Sequence, residues 1–459
     1  MKTHSDIKEK IKKLKSGSLT CTENVEYFLS KIKEKNKEYN IVLEINNNAL
    51  NEAKDLDNNR ENNSKKELYG LVFMVKSNIS VKGLTISCAS KTLENYKGTF
   101  DADVIVKIKE QGGIILGVLN NDEFASGSSG QNSAFKPTIN PKAPKRVPGG
   151  SSSAPAAAIA AEFCDVALGT DTGGSIRNPA SHCGIIGIKP SYGRVSRYGL
   201  VDLSMSLDQI GPLSAELYTS ALVLKNISGE SPNDPTTLST KVEDYTLSNT
   251  KTKHVIGIIR EFEDFIEDKR IKDLYNKKIE KLKKEDHEIV ELSIKHIDLS
   301  VQAYYPIVYT EFFSGTRKFD SIKYGKKIEE NSGAEVLRRI FGGKEISRSE
   351  FDGAYYKKAL NVKKTIAKEF EKAFNKVDFI FTPVTHRLPN FIDEELSPEE
   401  MYAYDAFTIP ANLAGICAGV VSKDLIKESD EEIPIGFQIF AGKNEEKKMF
   451  EGLRILEKI

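Results

Sequence analysis

The chain has 459 residues, 39% of them hydrophobic, and 66 basic residues balance 66 acidic ones, so the formal net charge is zero. A prior of roughly 150 residues per domain allows at most about three domains, although large α/β enzymes often form a single unit. The neutral total excludes the overall basic excess that nucleic-acid-binding domains usually carry.

Cysteine spacing and hydropathy indicate the cellular setting. The five cysteines are scattered and lack CxxC spacing, which argues against a disulfide framework and a zinc site and favours a reducing cytosol. The N-terminus is polar, and no run approaches the roughly 18 apolar residues of a membrane span. We therefore expect a cytoplasmic protein without a signal peptide, a membrane anchor or a metal.

The first part of the chain is predicted to be helical and peripheral. Ile7 and Leu14 fall on one face of a first helix, and Thr22 is predicted to cap a second one. The Asn-, Lys- and Glu-rich stretch 55–66 is predicted to be a solvated loop. We expect residues 1–60 to pack as a helical segment on one large domain that spans 61–459.

Beyond residue 66, apolar runs typical of strands alternate with helical patterns. This alternation predicts an α/β fold with a large mixed or parallel sheet between helices. A polar stretch, 228–253, is predicted to connect two halves across the surface, and 348–372 to form a long amphipathic helix. The predicted strands are 71–75, 114–119, 166–168, 255–259 and 379–381, and the helices between them include 102–111 and 154–162.

Two Gly-Gly-Ser sequences, which end at Ser151 and Ser175, mark the segment 148–190 as the candidate site. Glycine lets backbone amides approach a ligand closely. A hydroxyl after Gly173 and Gly174 is placed for nucleophilic attack, while nearby amides stabilise an oxyanion by about 3 kcal/mol per donor. One such cluster is more often an ordinary loop, but two in one segment favour a catalytic site.

A nucleophilic serine needs a base, and the histidines do not supply an obvious one. His182 lies near the candidate site, but its apolar context indicates a structural residue. Lys76 follows the apolar run 71–75, and burial favours the uncharged form of a lysine. The sequence therefore favours Lys76 as the base, although a lysine at a strand end is more often exposed.

Phosphate binding is an alternative, because a Gly-rich loop before a helix binds anions. The GxxxxGK[ST] pattern is absent, since Glu345 follows Gly343 and Lys344. An S-x-x-K match from Ser133 to Lys136 is too short to carry weight in a lysine-rich chain. A non-catalytic scaffold or nucleotide-binding module remains a competing hypothesis.

The chain resembles the amidase signature family, close to its branch of glutamine-hydrolysing subunits of tRNA-dependent amidotransferases. The resemblance begins near Tyr69, and it implies the amidase signature fold and a Ser–cis-Ser–Lys triad of Ser175, Ser151 and Lys76. It also places an oxyanion hole at the amides around Thr172, Gly173 and Gly174. The stretches that carry it are 122–125, 127–129, 132–135, 169–179, 189–200 and 206–212.

The resemblance also implies how glutamine is held. Arg339 would bind the α-carboxylate and Asp405 the α-amino group, while Tyr305, Ser128 and Ser129 would line the pocket. The chain departs from the family at Ser77, at 153–155 and at Cys417, and none of these departures removes a triad residue.

The resemblance further implies a heteromeric complex that converts Glu-tRNA(Gln) to Gln-tRNA(Gln). A larger partner, the B subunit, would bind tRNA, act as kinase and transamidase, and use ATP and magnesium. A small C subunit would complete the complex. No cofactor is expected on this chain, which would contact tRNA mainly through its partner. The alternative within the family is a stand-alone amidase that acts on a small or aryl amide.

Overall fold

The computed structural model describes residues 6–247, 253–348 and 352–459. Its strands are β1 (Val42–Ile45), β2 (Val72–Lys76), β3 (Ile114–Leu119), β4 (Val166–Asp171), β5 (Ile186–Lys189), β6 (Gln209–Ser214), β7 (Val255–Ile259), β8 (Glu288–Leu292), β9 (Phe379–Pro383), β10 (Cys417–Glu428) and β11 (Glu431–Ala441). In the described ranges they form one 11-stranded sheet in the order β1-β3-β2-β4-β6-β5-β10-β11-β9-β7-β8.

Helices connect and cover these strands. The α-helices are α1 (Ile7–Ser16), α2 (Cys21–Tyr39), α3 (Ala49–Asn58), α4 (Arg60–Asn63), α5 (Asp103–Glu110), α6 (Ser153–Ala160), α7 (Arg177–His182), α8 (Leu217–Ile227), α9 (Arg260–Phe265), α10 (Lys269–Lys284), α11 (Ser300–Thr316), α12 (Ile328–Asn331), α13 (Ala334–Ile346), α14 (Ala354–Phe374), α15 (Pro398–Ala403), α16 (Ile409–Ala414) and α17 (Glu446–Lys458). Short 3₁₀ helices span Lys91–Leu93, Glu123–Ala125 and Ile297–Leu299. Among the described helices, none is long and apolar enough to cross a membrane.

Strands β2 and β4 position the candidate site. They pair in parallel, with Phe73 opposite Val166 and Val75 opposite Leu168. All their residues are buried, as is typical of parallel strands that are covered on both faces. Because parallel strands run in one direction, the carboxyl ends of β2 and β4 meet at one edge of the sheet.

The sheet confirms the predicted α/β class, since parallel and antiparallel pairs are mixed within it. The predicted strands 114–119 and 255–259 have the observed bounds. Strand β2, at 72–76, is shifted by one residue from the prediction 71–75, and β4 extends 166–168 to Asp171. The added residues Lys76, Thr170 and Asp171 are polar, and pairing with neighbouring strands holds them in the sheet.

Several predictions in the N-terminal part were wrong. Thr20, not Thr22, caps α2, and it forms a capping box with Glu23. Helices α3 and α4 occupy most of the predicted loop 55–66. The buried face of α3 is narrow, with Ala49 and Ala53 one turn apart, so its polar surface resembles that of a loop. The sequence pattern also gave no sign of β1, which pairs with β3 as an edge strand.

Two predicted segments are only partly described. Residues 248–252 of the predicted connection 228–253 and residues 349–351 of the predicted helix 348–372 lie outside the described ranges, as do residues 1–5. The described part of the connection packs on the core, because Tyr245 is buried and stacks on Phe450 at 5.6 Å between ring centroids. The described part of the helix is α14, which begins at Ala354 and ends at Phe374.

Candidate active site

Lys76 lies at the carboxyl end of β2, completely buried. Its Nζ is 2.7 Å from Ser151 Oγ, 3.1 Å from Ser152 Oγ and 2.8 Å from Thr170 Oγ1. Thr170 belongs to β4, so the parallel pairing of β2 and β4 brings it to the amine. Three hydroxyl groups therefore surround one buried lysine.

Burial lowers the pKa of Lys76 to about 7, against the opposing effect of the Asp122, Asp208 and Asp171 carboxylates. A substantial fraction of the amine is therefore uncharged near neutral pH. The Ser152 hydroxyl already donates to the carbonyl oxygen of Thr170 at 3.0 Å, so it accepts from Lys76. The Ser151 hydroxyl is free to donate to the amine when the amine is uncharged.

Ser175 lies on the neighbouring glycine-rich loop. The backbone N–H of Ser152 donates to the carbonyl oxygen of Ser175 at 3.0 Å, which joins the two loops. The peptide bond between Gly150 and Ser151 is cis. Ser175 is 8% exposed, whereas Ser151 and Lys76 are 0% exposed. Lys76 and Ser151 are thus in direct contact, the loop of Ser175 is joined to them through Ser152, and Ser175 is the member that solvent reaches.

Asp171 organises the loop that carries Ser175. Its carboxylate accepts hydrogen bonds from the backbone N–H groups of Gly174 at 2.9 Å and Ile176 at 3.1 Å. It also forms a fully buried ion pair with Arg177. Burial alone would raise the pKa of Asp171, but Arg177, Lys189 and Asn412 lower it to about 2. The loop that carries Ser175 is therefore held by a carboxylate that stays ionised at neutral pH.

This arrangement changes the expected set of oxyanion donors. The amide of Gly174 is already engaged by Asp171, so it is not a free donor in this conformation. No described residue accepts a hydrogen bond from the amides of Thr172, Gly173 or Ser175. A Cβ on Gly173 would lie 2.7 Å from the Tyr304 ring, so that position requires glycine.

The residues expected to hold the substrate form a second cluster around Arg339. Arg339 is 4% exposed, its Nε donates to Glu335 at 3.0 Å, and its Nη1 is buried without a hydrogen-bond partner among the described residues. The Tyr305 hydroxyl donates to Asp405 at 3.5 Å, and the Arg339 guanidinium lies 5.9 Å from the Tyr305 ring centroid. Burial raises the pKa of Asp405 to about 7, against the opposing effect of Arg339.

Ser128 and Ser129 lie half-buried on the loop beside Gly150. A Cβ on Gly150 would approach the carbonyl carbon of Ser128 to 3.0 Å. Ser129 Oγ accepts from the backbone N–H of Gln131 at 3.2 Å and so shapes its own loop. The backbone of Ser128 therefore adjoins the Ser151 loop.

Sequence reasoning missed three residues of this site: Ser152, Thr170 and Asp122. Asp122 is fully buried, and its carboxylate accepts from the backbone N–H groups of Gly130 at 3.0 Å and Asn132 at 2.9 Å. Its own N–H donates to the carbonyl oxygen of Ser151 at 3.2 Å. Thr170 is a polar residue near the end of the otherwise apolar strand β4. This was the one signal in the sequence that could have indicated that a second strand contacts Lys76.

Lys189 resembles Lys76 in burial but not in its partners. Burial lowers its pKa to about 7 as well. Its Nζ, however, contacts the carbonyl oxygens of Pro190 at 2.9 Å and of Ile416, and Oε1 of Gln209 at 2.6 Å. These oxygens only accept hydrogen bonds, so they require all three hydrogens of an ammonium group. Lys189 is a structural cation, whereas hydroxyl partners let Lys76 exchange a proton.

The structure excludes a phosphate-binding loop at Gly343 and Lys344, which lie inside α13. His182 is fully buried and packs edge-on against Tyr404, and burial lowers its pKa to about 3. Within the described ranges, no group of three or more His, Cys, Asp or Glu residues could hold a metal ion.

The fold and the serine–lysine site define an amidase: the chain belongs to the amidase family, whose model matches residues 23–450. It is 50% identical over 438 residues to the A subunit of glutamyl-tRNA(Gln) amidotransferase from Methanocaldococcus jannaschii, covering 95% of this chain and 99% of the relative. It is 49% identical over 455 residues to the protein of the same name from Methanobrevibacter smithii, covering 98% of each. The crystal structure of the corresponding A subunit from Thermotoga maritima matches with a TM-score of 0.78 and 33% identity, covering 94% of this chain and 93% of that one.

Proposed function

We propose that this chain is the glutamine-hydrolysing subunit of an amidotransferase that converts Glu-tRNA(Gln) to Gln-tRNA(Gln). The observation that carries the hydrolytic part is the 2.7 Å hydrogen bond between Lys76 Nζ and Ser151 Oγ, beside the loop of Ser175. The amidotransferase part is supported by the full-length similarity to A subunits of proteins named glutamyl-tRNA(Gln) amidotransferase.

In the proposed reaction, uncharged Lys76 takes the proton of the Ser151 hydroxyl, and Ser151 takes the proton of Ser175. The Ser175 oxygen attacks the side-chain amide carbon of glutamine and forms a tetrahedral intermediate. The C–N bond then breaks, the proton returns through Ser151 to the leaving nitrogen, and ammonia departs. Water hydrolyses the remaining glutamyl ester by the same proton path and releases glutamate, so one difficult step becomes two easier ones.

The oxyanion of that intermediate needs hydrogen-bond donors. The uncommitted amides of Thr172, Gly173 and Ser175 are the candidates, because the Gly174 amide is held by Asp171. Thr172 is fixed by its hydroxyl, which donates to Asp208 at 2.5 Å, and the Gly173 carbonyl accepts from Thr408 at 2.6 Å. Donors held in this way need no rearrangement when the charge develops.

The second cluster suits a free amino acid. The buried Nη1 of Arg339, which has no hydrogen-bond partner in the described part of the chain, is suited to the α-carboxylate, since a guanidinium binds a carboxylate through paired hydrogen bonds. Asp405, with the Tyr305 hydroxyl beside it, is suited to the α-ammonium group. Ser128 and Ser129 are placed to line the intervening pocket.

The ammonia would be used by partner subunits and not by this chain. We assign ATP, magnesium and most of the tRNA contact to the B subunit, the kinase and transamidase, and we expect a small C subunit in the same complex. The neutral net charge of this chain agrees with a partner that carries the tRNA contact. Five buried free cysteines agree with assembly in the cytoplasm.

Ammonia release from glutamine by the chain assembled with its partner subunits tests the proposal. Ser175→Ala should abolish release, and Ser153→Ala, which changes a nearby buried hydroxyl, should retain it. Arg339→Ala should cripple glutamine hydrolysis if the substrate is a free amino acid. Unchanged glutamine turnover in Arg339→Ala would instead favour a stand-alone amidase that acts on a simple amide. Full activity of Ser175→Ala would refute the serine mechanism.

A further inference from the structure

Glu123 is a buried carboxylate that none of the proposed catalytic steps uses. It is 2% exposed and stands next to Asp122 in the chain. Its Oε1 accepts from the Ser90 hydroxyl at 2.5 Å, and its Oε2 accepts from the backbone N–H of Gly333 at 2.7 Å. Gly333 is the N-cap residue, immediately before the first residue of α13. A side chain 210 residues away in the sequence therefore caps this helix.

The helix that Glu123 caps carries Arg339. Arg339 lies less than two turns from Gly333, and a helix is rigid over a distance of about 9 Å. Within α13, Glu335 holds both Arg339, at 3.0 Å, and Arg338, at 2.5 Å. Because the guanidinium is fixed to the helix in this way, the placement of the helix determines the placement of the guanidinium.

The backbone of Glu123, in contrast to its side chain, lies beside the loops that precede and carry Ser151. Its backbone N–H donates to the carbonyl oxygen of Asn132 at 2.9 Å, and the carboxylate of its neighbour Asp122 holds the N–H groups of Gly130 and Asn132. The N–H of Asp122 donates to the Ser151 carbonyl oxygen. Two adjacent acidic residues thus connect the two parts of the site: Asp122 contacts the Ser151 loop through its backbone N–H, and Glu123 contacts the start of the Arg339 helix through its carboxylate.

We propose that Glu123 is a positioning residue that sets the distance between the attacking serine and the carboxylate-binding Arg339, and thereby selects the length of the amino-acid amide. This inference rests on the proposed function. It predicts that Glu123 affects only substrates that use Arg339.

The test compares glutamine with phenylmethylsulfonyl fluoride, a serine reagent that lacks a carboxylate, on the assembled enzyme. Glu123→Ala should raise the KM for glutamine roughly tenfold, as expected for the loss of hydrogen bonds to a charged group, and should change kcat less than about twofold. The rate at which the sulfonyl fluoride inactivates Ser175 should not change. Glu330→Ala, which alters an exposed glutamate on α12, should resemble the wild type.

Three further variants separate positioning from folding. Gly333→Pro removes the N–H that Glu123 accepts and places the ring carbons against its carboxylate, while the backbone of Gly333, with φ −74°, already suits proline. It should raise the KM as Glu123→Ala does, whereas Glu123→Gln, which keeps one acceptor and gains one donor, should restore most of the affinity. Combining Glu123→Ala with Arg339→Ala should raise the KM no further than Arg339→Ala alone.

The outcomes distinguish this inference from the proposed function. Equal losses of glutamine turnover and of sulfonyl fluoride reactivity in Glu123→Ala would overturn the positioning role, because they indicate a general structural defect. Wild-type kinetics in Glu123→Ala, together with a defective Arg339→Ala, would overturn this inference alone. Wild-type kinetics in Arg339→Ala would overturn the proposed substrate site itself.

Discussion

The backbone N–H of Ser152 donates to the carbonyl oxygen of Ser175 at 3.0 Å, and this hydrogen bond joins the two glycine-rich loops above Lys76. Ser151, the neighbour of Ser152, contacts the lysine directly, with 2.7 Å between its Oγ and Lys76 Nζ. Lys76 is therefore linked to the loop of Ser175 through the adjacent residues Ser151 and Ser152.

The first prediction concerns pH. The pKa of Lys76 is lowered by burial from 10.5 to about 7, and the uncharged form is the proposed base. The kcat for glutamine should therefore fall as the pH drops below about 7, approaching a tenfold loss per pH unit. The measurement is kcat from pH 5 to 9 with saturating glutamine, and a flat kcat from pH 5 to 8 would contradict the role of Lys76.

The KM for glutamine should depend on pH through Asp405 and not through Lys76. Burial raises the pKa of Asp405 to about 7, so protonation below that pH removes the charge expected to hold the α-ammonium group. The KM for glutamine should rise as the pH falls, and Asp405→Asn should have a high KM with little remaining dependence on pH. An unchanged KM profile in Asp405→Asn would exclude this assignment.

Ser151 and Ser153 provide a matched pair of hydroxyl deletions. Ser151→Ala breaks the proton path and should lower kcat by at least roughly 10³-fold, by analogy with other catalytic triads. Ser153 Oγ is buried but makes no hydrogen bond among the described residues, so Ser153→Ala should stay within about threefold of the wild type. Steady-state ammonia release gives the kcat of both variants. A comparable loss of kcat in the two would show that the effect of Ser151→Ala comes from disturbed packing and not from a broken proton path.

Much of this candidate site could be predicted from the sequence, because its residues lie in short motifs. The two Gly-Gly-Ser sequences and the lysine after an apolar run indicated Ser175 and Lys76 as candidates, and the family resemblance added the role of Ser151. The contacts of Thr170 and Asp122 could not be predicted, since they depend on strand pairing and on loops that meet only in three dimensions.

The secondary structure likewise includes elements that the sequence predicted and elements that it did not. The five strands β2, β3, β4, β7 and β9 were predicted because their apolar runs are continuous. The buried strands β5 and β6 were not predicted, and β1 is short, with only its first residue buried. Helix α3 was not predicted, because only two small alanines form its buried face. Strand β1 and helix α3 are stabilised by packing on distant residues and not by a strong local pattern.

The buried ion pair of Asp171 and Arg177 should be essential for both folding and catalysis. Asp171→Asn leaves Arg177 without its charged partner and should lower the free energy of unfolding by about 3 kcal/mol or more. The control is Asp286→Asn, which breaks an exposed pair with Lys253 and should cost less than about 1 kcal/mol. Urea unfolding measures both, and equal small effects would show that the ion pair is dispensable.

The two buried lysines should respond oppositely to replacement by methionine. Lys76→Met removes the base and should abolish glutamine hydrolysis, but the three hydroxyls around it can rotate to pair with one another, so the loss of stability should be small. Lys189→Met leaves three acceptor oxygens unsatisfied, at about 1 kcal/mol or more each. Molecules that still fold should retain their turnover per active site, counted by titration with a sulfonyl fluoride. If Lys189→Met instead lost turnover without losing stability, the distinction between a proton-exchanging lysine and a structural one would be wrong.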